Sequence, residues 1–246
     1  MTNRNNTRVA LVTGGSGGIG EAVVQKLASE GYAVAVHYAG NQAKADTLVE
    51  EITAADGTAI AVGADVADET AMQALFDQVE DTLGGIDVVV NTAGIMPLGP
   101  IADYDLETFD RVIRTNVRGT FVVSQQAARR VRSGGAIINF STSVTRTQFP
   151  SYGPYVASKA AVEGLTLILA RELHGKDITV NAVAPGPTAT PLFLDGKDAQ
   201  TIEKLSKAAP LERLGQPGDI AETVAFLAGP GRWVNGQTLF TNGGLA

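Results

Sequence analysis

The chain has 246 residues, 19 basic against 26 acidic side chains and a net charge of −7, so it lacks the basic surface that nucleic acid and anionic membranes require. Hydrophobic residues make up 44% and charged residues 18%, the latter below the roughly 25% of an average soluble domain and in keeping with strands buried on both faces. No cysteine is present, which excludes disulfides, thiolate catalysis and cysteine metal sites, and His37 and His174 stand in no metal-ligand spacing.

The opening M-T-N-R-N-N-T-R is polar and has no signal-peptide core, and no apolar run approaches the roughly 18 residues of a membrane span. A cytoplasmic protein of one domain, 1–246, is expected. Short β-branched runs alternate with longer amphipathic segments, the pattern of repeated βα units and a doubly wound, mostly parallel sheet of Rossmann type. Seven strands are predicted, near Val9–Thr13, Ala33–Tyr38, Ala59–Val62, Asp87–Asn91, Ala136–Phe140, Thr179–Ala184 and Thr238–Thr241. Helices are predicted over Gly18–Ser29, Gln42–Ala55, Glu69–Leu83, Leu106 into the Asn116 region, Gly119–Arg132, Pro154–Leu173 and Gly218–Leu227.

After the first strand comes T-G-G-S-G-G-I-G. A glycine-rich turn between strand and helix lets a dinucleotide pyrophosphate lie against backbone N–H groups at the helix N-terminus. Gly15, Gly17 and Gly20 satisfy one spacing of this motif and Gly14, Gly18 and Gly20 a wider one, so its register stays open. Gly14, Ser16, Gly18, Ile19 and Gly20 are candidate cofactor residues; the plainer reading is a turn that needs only tight packing. The second strand ends V-A-V-H-Y-A-G-N, with Tyr38 where an NAD enzyme usually carries an acid for the ribose 2′-OH. A 2′-phosphate is therefore tolerated, with Tyr38, Asn41, Ser16, His37 and Lys44 as candidate partners, and NADP(H) is favoured over NAD(H). Asp65, followed by Val66, is a candidate for the adenine amino group or for the cap of the next helix.

Ligands of doubly wound sheets bind at the carboxyl ends of the strands. There the fourth strand runs into N-T-A-G (Asn91, Ala93, Gly94), the fifth into S-T-S and the sixth into P-G-P-T (Pro185, Gly186, Thr188). In Y-V-A-S-K, Tyr155 and Lys159 stand four apart, on one face of a helix, where an ammonium can stabilise a phenolate whose ordinary pKa is about 10. Taken singly, such a pair is more often a helix surface with a solvated lysine.

T-G-G-S-G-G-I-G, N-T-A-G, N-V-R-G, Y-V-A-S-K and P-G-P-T follow in order, and through them essentially the whole chain resembles the short-chain dehydrogenase/reductase family. The resemblance implies an NADP(H)-dependent oxidoreductase that reduces a ketone or aldehyde carbonyl to an alcohol, with Tyr155 as proton donor. Lys159 would lower the pKa of Tyr155 and hold the nicotinamide ribose, and Asn116 would support a water relaying protons to Lys159. A hydroxyl upstream of Tyr155 would polarise the carbonyl. The family's commonest spacing of thirteen points to Thr142, but Pro150 ahead of S-Y-G-P-Y looks like the variant with one extra residue; Ser141 is chosen, with Ser143 next.

The resemblance further implies a substrate lid near 188–214, with Leu192 and Phe193 joined by Met96, Val144, Gln148 and Tyr152 in an apolar wall, and Ser143 beside them. It implies a homotetramer acting on a small-molecule carbonyl or alcohol, without nucleic acid, membrane or metal. A β-ketoacyl-carrier-protein reductase is the alternative, with Arg129, Arg130 and Arg132 as the grip on an acidic carrier. A non-catalytic dinucleotide-binding sensor is the remote one.

Overall fold

The computed structural model describes residues 7–246, so the polar opening at residues 1–6 lies outside the described residues. Seven strands form one sheet: β1 Val9–Thr13, β2 Ala33–Tyr38, β3 Thr58–Gly63, β4 Val88–Asn91, β5 Ala136–Phe140, β6 Thr179–Pro185 and β7 Thr238–Thr241. Their order is β3-β2-β1-β4-β5-β6-β7, and every pairing is parallel. The chain leaves β1 toward one edge, reaches β3, and returns to β4 on the other side of β1. That reversal opens a crevice at the carboxyl ends of β1 and β4.

The period of two along each strand supplies two cores. Ala10, Val12, Val34, Val36, Val88 and Ile138 face α1 (Gly18–Ser29), α2 (Gln42–Ala54) and α10 (Pro217–Ala228). Val9, Leu11, Ala35, Val89 and Ile137 face α3 (Glu69–Leu83), α5 (Gly119–Arg130) and α7 (Gly153–Glu172). Apolar residues on both faces of each inner strand explain the near-continuous hydrophobic runs of the sequence.

The predicted strands and most helices agree with these bounds to within one or two residues. The helix predicted into the Asn116 region is two pieces: α4, Leu106–Val112, followed by one π-helical turn over Ile113–Arg118. The helix predicted to Arg132 stops at Arg130 because Val131 turns extended, and Arg132 then donates from Nε to Asp87 Oδ1 at 3.0 Å. Two short helices, α6 (Val144–Thr147) and α8 (Pro191–Leu194), were not predicted, and neither was α9, Ala199–Ser206, as a bounded element within the lid. No helix among the described residues is long and apolar enough to cross a membrane. Just before β7, Trp233 is 100% exposed.

Candidate active site

The glycine turn is shaped by backbone geometry. Gly14 has φ +65°, a left-handed conformation that favours glycine, and a Cβ on Gly20 would come within 2.2 Å of the Gly14 carbonyl oxygen. The packing reading of these glycines is therefore part of the truth. The other part is that Gly17 caps α1 with no side-chain hydrogen bond, and a Cβ added there would meet nothing within 4 Å. The N-terminal turn of α1 thus borders open space, the place where a helix N-terminus can receive a pyrophosphate.

That space is a cleft of about 480 Å³. Gly14, Ser16, Gly18, Ile19 and Gly20 line it from the first turn, Asn41 and Lys44 from the start of α2, Ala93 and Gly94 from the loop after β4, and Pro185, Gly186 and Thr188 from the loop after β6. Thr190 of the lid meets the turn from across the opening: a Cβ on Gly18 would stand 3.3 Å from its methyl group. Small residues on all sides leave a channel that fits a dinucleotide.

Five expected cofactor residues stand outside the lining of the cleft. Tyr38 lies with its ring against Gly63, where a Cβ would come within 2.7 Å of the ring, so it packs on β3. His37 is buried, its ring held by backbone groups, and it is no phosphate ligand. Asp65 accepts from Ala67 N–H at 2.9 Å and ion-pairs with Arg114, while the cap of α3 is Asp68, which accepts from Thr70 and Ala71. Val66 is buried against Gly119. Asn91 is buried beside Thr13, whose hydroxyl donates to Asn91 Oδ1 at 2.7 Å, and its Nδ2 has no partner. In place of Tyr38, the positions facing the cleft near α2 are Asn41, whose Oδ1 caps Lys44 N–H at 3.1 Å, and Lys44, whose Nζ lies 2.9 Å from Glu21.

The catalytic floor is built by α7 against β5. Tyr155 and Lys159 lie on one face of α7, with the ammonium 5.9 Å from the phenol ring centroid, and both line the cleft. Burial pushes the Tyr155 phenol up to about 12, and the Thr142 hydroxyl beside it pulls the other way. Burial pulls Lys159 down to about 8. The Lys159 Nζ donates to the Phe140 carbonyl at 2.8 Å, which anchors the ammonium beside the phenol. Asn116, from the π turn, accepts from Ile95 N–H at 2.9 Å and donates to Ile95 O at 2.9 Å and to Ser158 Oγ at 3.0 Å. It thereby fixes the loop after β4 against α7.

The three hydroxyls after β5 have three different partners. Ser141 donates to Glu163 Oε1 at 2.6 Å, Ser143 points to Ala184 O at 3.3 Å, and Thr142 is the hydroxyl set beside the Tyr155 phenol. Ser141, the hydroxyl chosen from the sequence, lines the cleft together with Thr142 and Ser143 but turns its proton to Glu163. Glu163, which the sequence reading missed, also accepts from Thr145 Oγ1 at 2.9 Å and so grips both ends of the turn carrying Thr142. Its signal was its place four residues after Lys159, on the same face of α7.

The substrate end is apolar. Met96, Val144, Tyr152, Leu192 and Phe193 line it as expected, and Phe149, Leu205 and Leu245 join them. Phe149, Tyr152 and Tyr155 form a chain of tilted rings, with centroids 6.1 and 6.5 Å apart. Gln148 is absent from the wall; it stands in a left-handed conformation, φ +52°, at the end of α6.

Residues 14–246 match the model of the family described as "Enoyl-(Acyl carrier protein) reductase". The chain is 42% identical to an NADPH-dependent aldehyde reductase-like chloroplastic protein of Arabidopsis thaliana, over 96% of this chain and 93% of that one. It is 43% identical to the 3-oxoacyl-[acyl-carrier-protein] reductase FabG of Staphylococcus aureus, over 97% of this chain and 98% of the other. Its structure superposes on a short-chain dehydrogenase from Burkholderia cenocepacia J2315 in complex with NADP with a TM-score of 0.91, at 39% identity, covering 99% of each chain. Cleft and likenesses together define an NAD(P)-dependent oxidoreductase acting on CH–OH and C=O groups. The chain belongs to the short-chain dehydrogenase/reductase family.

Proposed function

We propose that the protein is an NADP(H)-dependent carbonyl reductase that turns a free, mostly apolar ketone or aldehyde into an alcohol, with Tyr155 as proton donor. The observation that carries this reading is the single cleft in which Tyr155 and Lys159 lie between the small-residue channel and the aromatic and aliphatic wall. NADPH, when bound, supplies the hydride. Tyr155, kept protonated by burial, gives its proton to the carbonyl oxygen, and Thr142 takes the polarising place expected of Ser141. Lys159 holds positive charge near the phenol and would hold the nicotinamide ribose. Asn116 keeps the Ile95 loop in place and supports the proton path toward Lys159.

The preference for NADP(H) over NAD(H) rests on the absence of a carboxylate at the end of β2 and on Lys44 and Asn41 in the cleft wall. The likeness to the Staphylococcus aureus reductase favours a second reading, reduction of a β-ketoacyl thioester on a carrier protein. Against it, Arg130 is ion-paired with Asp77 and Glu80, and Arg132 with Asp87, which leaves less of the basic run to grip an acidic carrier. Intact Tyr155 and Lys159 weigh against a non-catalytic sensor. We further read the protein as cytoplasmic and as a homotetramer, the assembly supported by exposed Phe121 on α5 and Leu167 and Ile168 on α7.

The test is consumption of NADPH and of NADH, followed at the nicotinamide absorbance, with aromatic ketones, aldehydes, ketoesters and β-ketoacyl thioesters. Turnover with NADPH and free ketones or aldehydes is expected. Turnover confined to thioesters would transfer the protein to the second reading, and turnover with NADH alone would remove the role given to Lys44 and Asn41.

A further inference from the structure

The glycine turn is tied down from below by a side chain that takes no part in the chemistry described above. His37, the penultimate residue of β2, is 1% exposed. Its Nδ1 accepts from the Gly14 N–H at 3.0 Å, and its Nε2 bonds the Ala64 carbonyl, just past β3, at 3.0 Å. The two partners assign the tautomer: Nδ1 faces a donor and must be bare, and Nε2 faces an acceptor and must carry the proton. The main-chain carbonyl of His37 accepts from Gly15 N–H at 2.9 Å as well. One residue of β2 therefore satisfies the first two N–H groups of the turn and couples the turn to the strand beyond.

We infer that His37 is a positioning residue for the dinucleotide, its neutral ring fixing Gly14 so that the N–H groups which follow it stay aimed into the cleft. The inference rests on the cofactor reading above and adds a residue to it that never touches the cofactor. Gly14 has little freedom to find another arrangement, since the position of a Cβ on it lies 3.0 Å from the backbone of Ala93, in the loop after β4. A change at its N–H is therefore passed to both loops that flank the crevice.

The neutral ring is favoured by its surroundings. No ionisable side chain occurs between Val9 and Gly20 on β1 and the turn, nor between Thr58 and Ala64 on β3. The charge that reaches the ring is Asp65, itself ion-paired with Arg114. Burial pushes the imidazole below its ordinary value despite Asp65 and the Ala64 carbonyl, which act in the opposite sense. Because the folded pKa is depressed, the tie is complete above pH 6.5 and is lost as pH falls through the folded value, when a proton on Nδ1 opposes the Gly14 N–H.

The experiment is calorimetric titration of NADPH at pH 7.5, and of the acid-stable NADP⁺ from pH 7.5 down to 5.5, into wild type, His37→Asn and His37→Leu. Asparagine presents an oxygen in place of Nδ1 and keeps the acceptor for Gly14; leucine removes it. His37→Asn is expected to bind within about threefold of wild type, and His37→Leu about tenfold more weakly, the worth of one buried hydrogen bond, with the loss falling on KM for NADPH rather than on kcat. Steeper weakening of wild type than of His37→Asn in acid, beyond the titration of the ligand's own 2′-phosphate that both curves carry, would support loss of the Nδ1 acceptor on protonation. Should His37→Leu fail to fold, His37→Gln, whose longer amide cannot set its oxygen at the Nδ1 position, takes its place in the comparison with His37→Asn.

Equal affinity of His37→Leu and wild type, or equal weakening of both variants, would overturn the inference. Wild type that binds neither NADPH nor NADH would bring down the cofactor reading and this inference with it.

Discussion

On the floor of the cleft Asn116, Thr142, Ser158 and Lys159 are all buried, and both amide atoms of Asn116 are hydrogen-bonded to fixed partners. Across the opening, α8 and α9 contribute no buried residue, and Leu192 is 51% exposed. The floor holds its groups in place by bonds to the loop after β4, to β5 and to α7; the lid offers apolar surface with few fixed contacts. The difference separates two tasks. Chemistry is committed to the part of the molecule that cannot rearrange cheaply, and recognition is left to the part that can.

If that division holds, the largest loss comes from Tyr155→Phe, which removes the proton donor while leaving the packing of the ring. We expect kcat to fall by about a thousandfold or more, with the Kd for NADPH changed by less than about twofold, measured by steady-state assay and titration. Comparable kcat in the variant would detach the floor from the chemistry. Next comes Thr142→Val against Ser141→Ala: about a hundredfold loss in kcat for the first and less than about threefold for the second. The reverse order would restore the hydroxyl chosen from the sequence.

Lys159→Met tests whether the floor carries an electrostatic cost. Its folded pKa of about 8 lies below the unfolded 10.5, so wild type pays for the buried ammonium below pH 8 and recovers stability as pH rises through that window. In urea titrations the variant should be the more stable at pH 7, by on the order of 2 kcal/mol, and the gap should close toward pH 10.5. A gap that widens with pH would refute the depressed value. The smallest effect belongs to the lid: Leu192→Ala and Phe193→Ala should raise substrate KM by about two- to fivefold and leave kcat for the smallest substrates near wild type. A loss in kcat as large as that of Thr142→Val would erase the division between floor and lid.

The sheet was legible because inner strands must be apolar on both faces, and runs such as V-A-L-V and A-I-I-N-F have few other uses. The pairing of Tyr155 with Lys159 was legible for a local reason, the helical spacing of four. What stayed hidden depends on contacts far apart in sequence. Which of Ser141, Thr142 and Ser143 meets the phenol is set by a turn whose ends are held by Glu163, a contact across the sequence that no spacing rule encodes. His37 was read as a candidate partner of the 2′-phosphate and is instead buried, with its ring bonded to Gly14 N–H and the Ala64 carbonyl. The π turn at Asn116 adds a residue to one helical turn, and hydrophobic periodicity cannot register so short a change.

The exposure of Trp233 has a practical meaning. It is the chain's one tryptophan, and within a single subunit it is already in water. Its emission from an isolated subunit should therefore be red and almost indifferent to denaturant, a poor gauge of folding. A blue-shifted band from the native protein, lost on dilution before any change in circular dichroism, would make the same ring a direct optical meter of contact between copies.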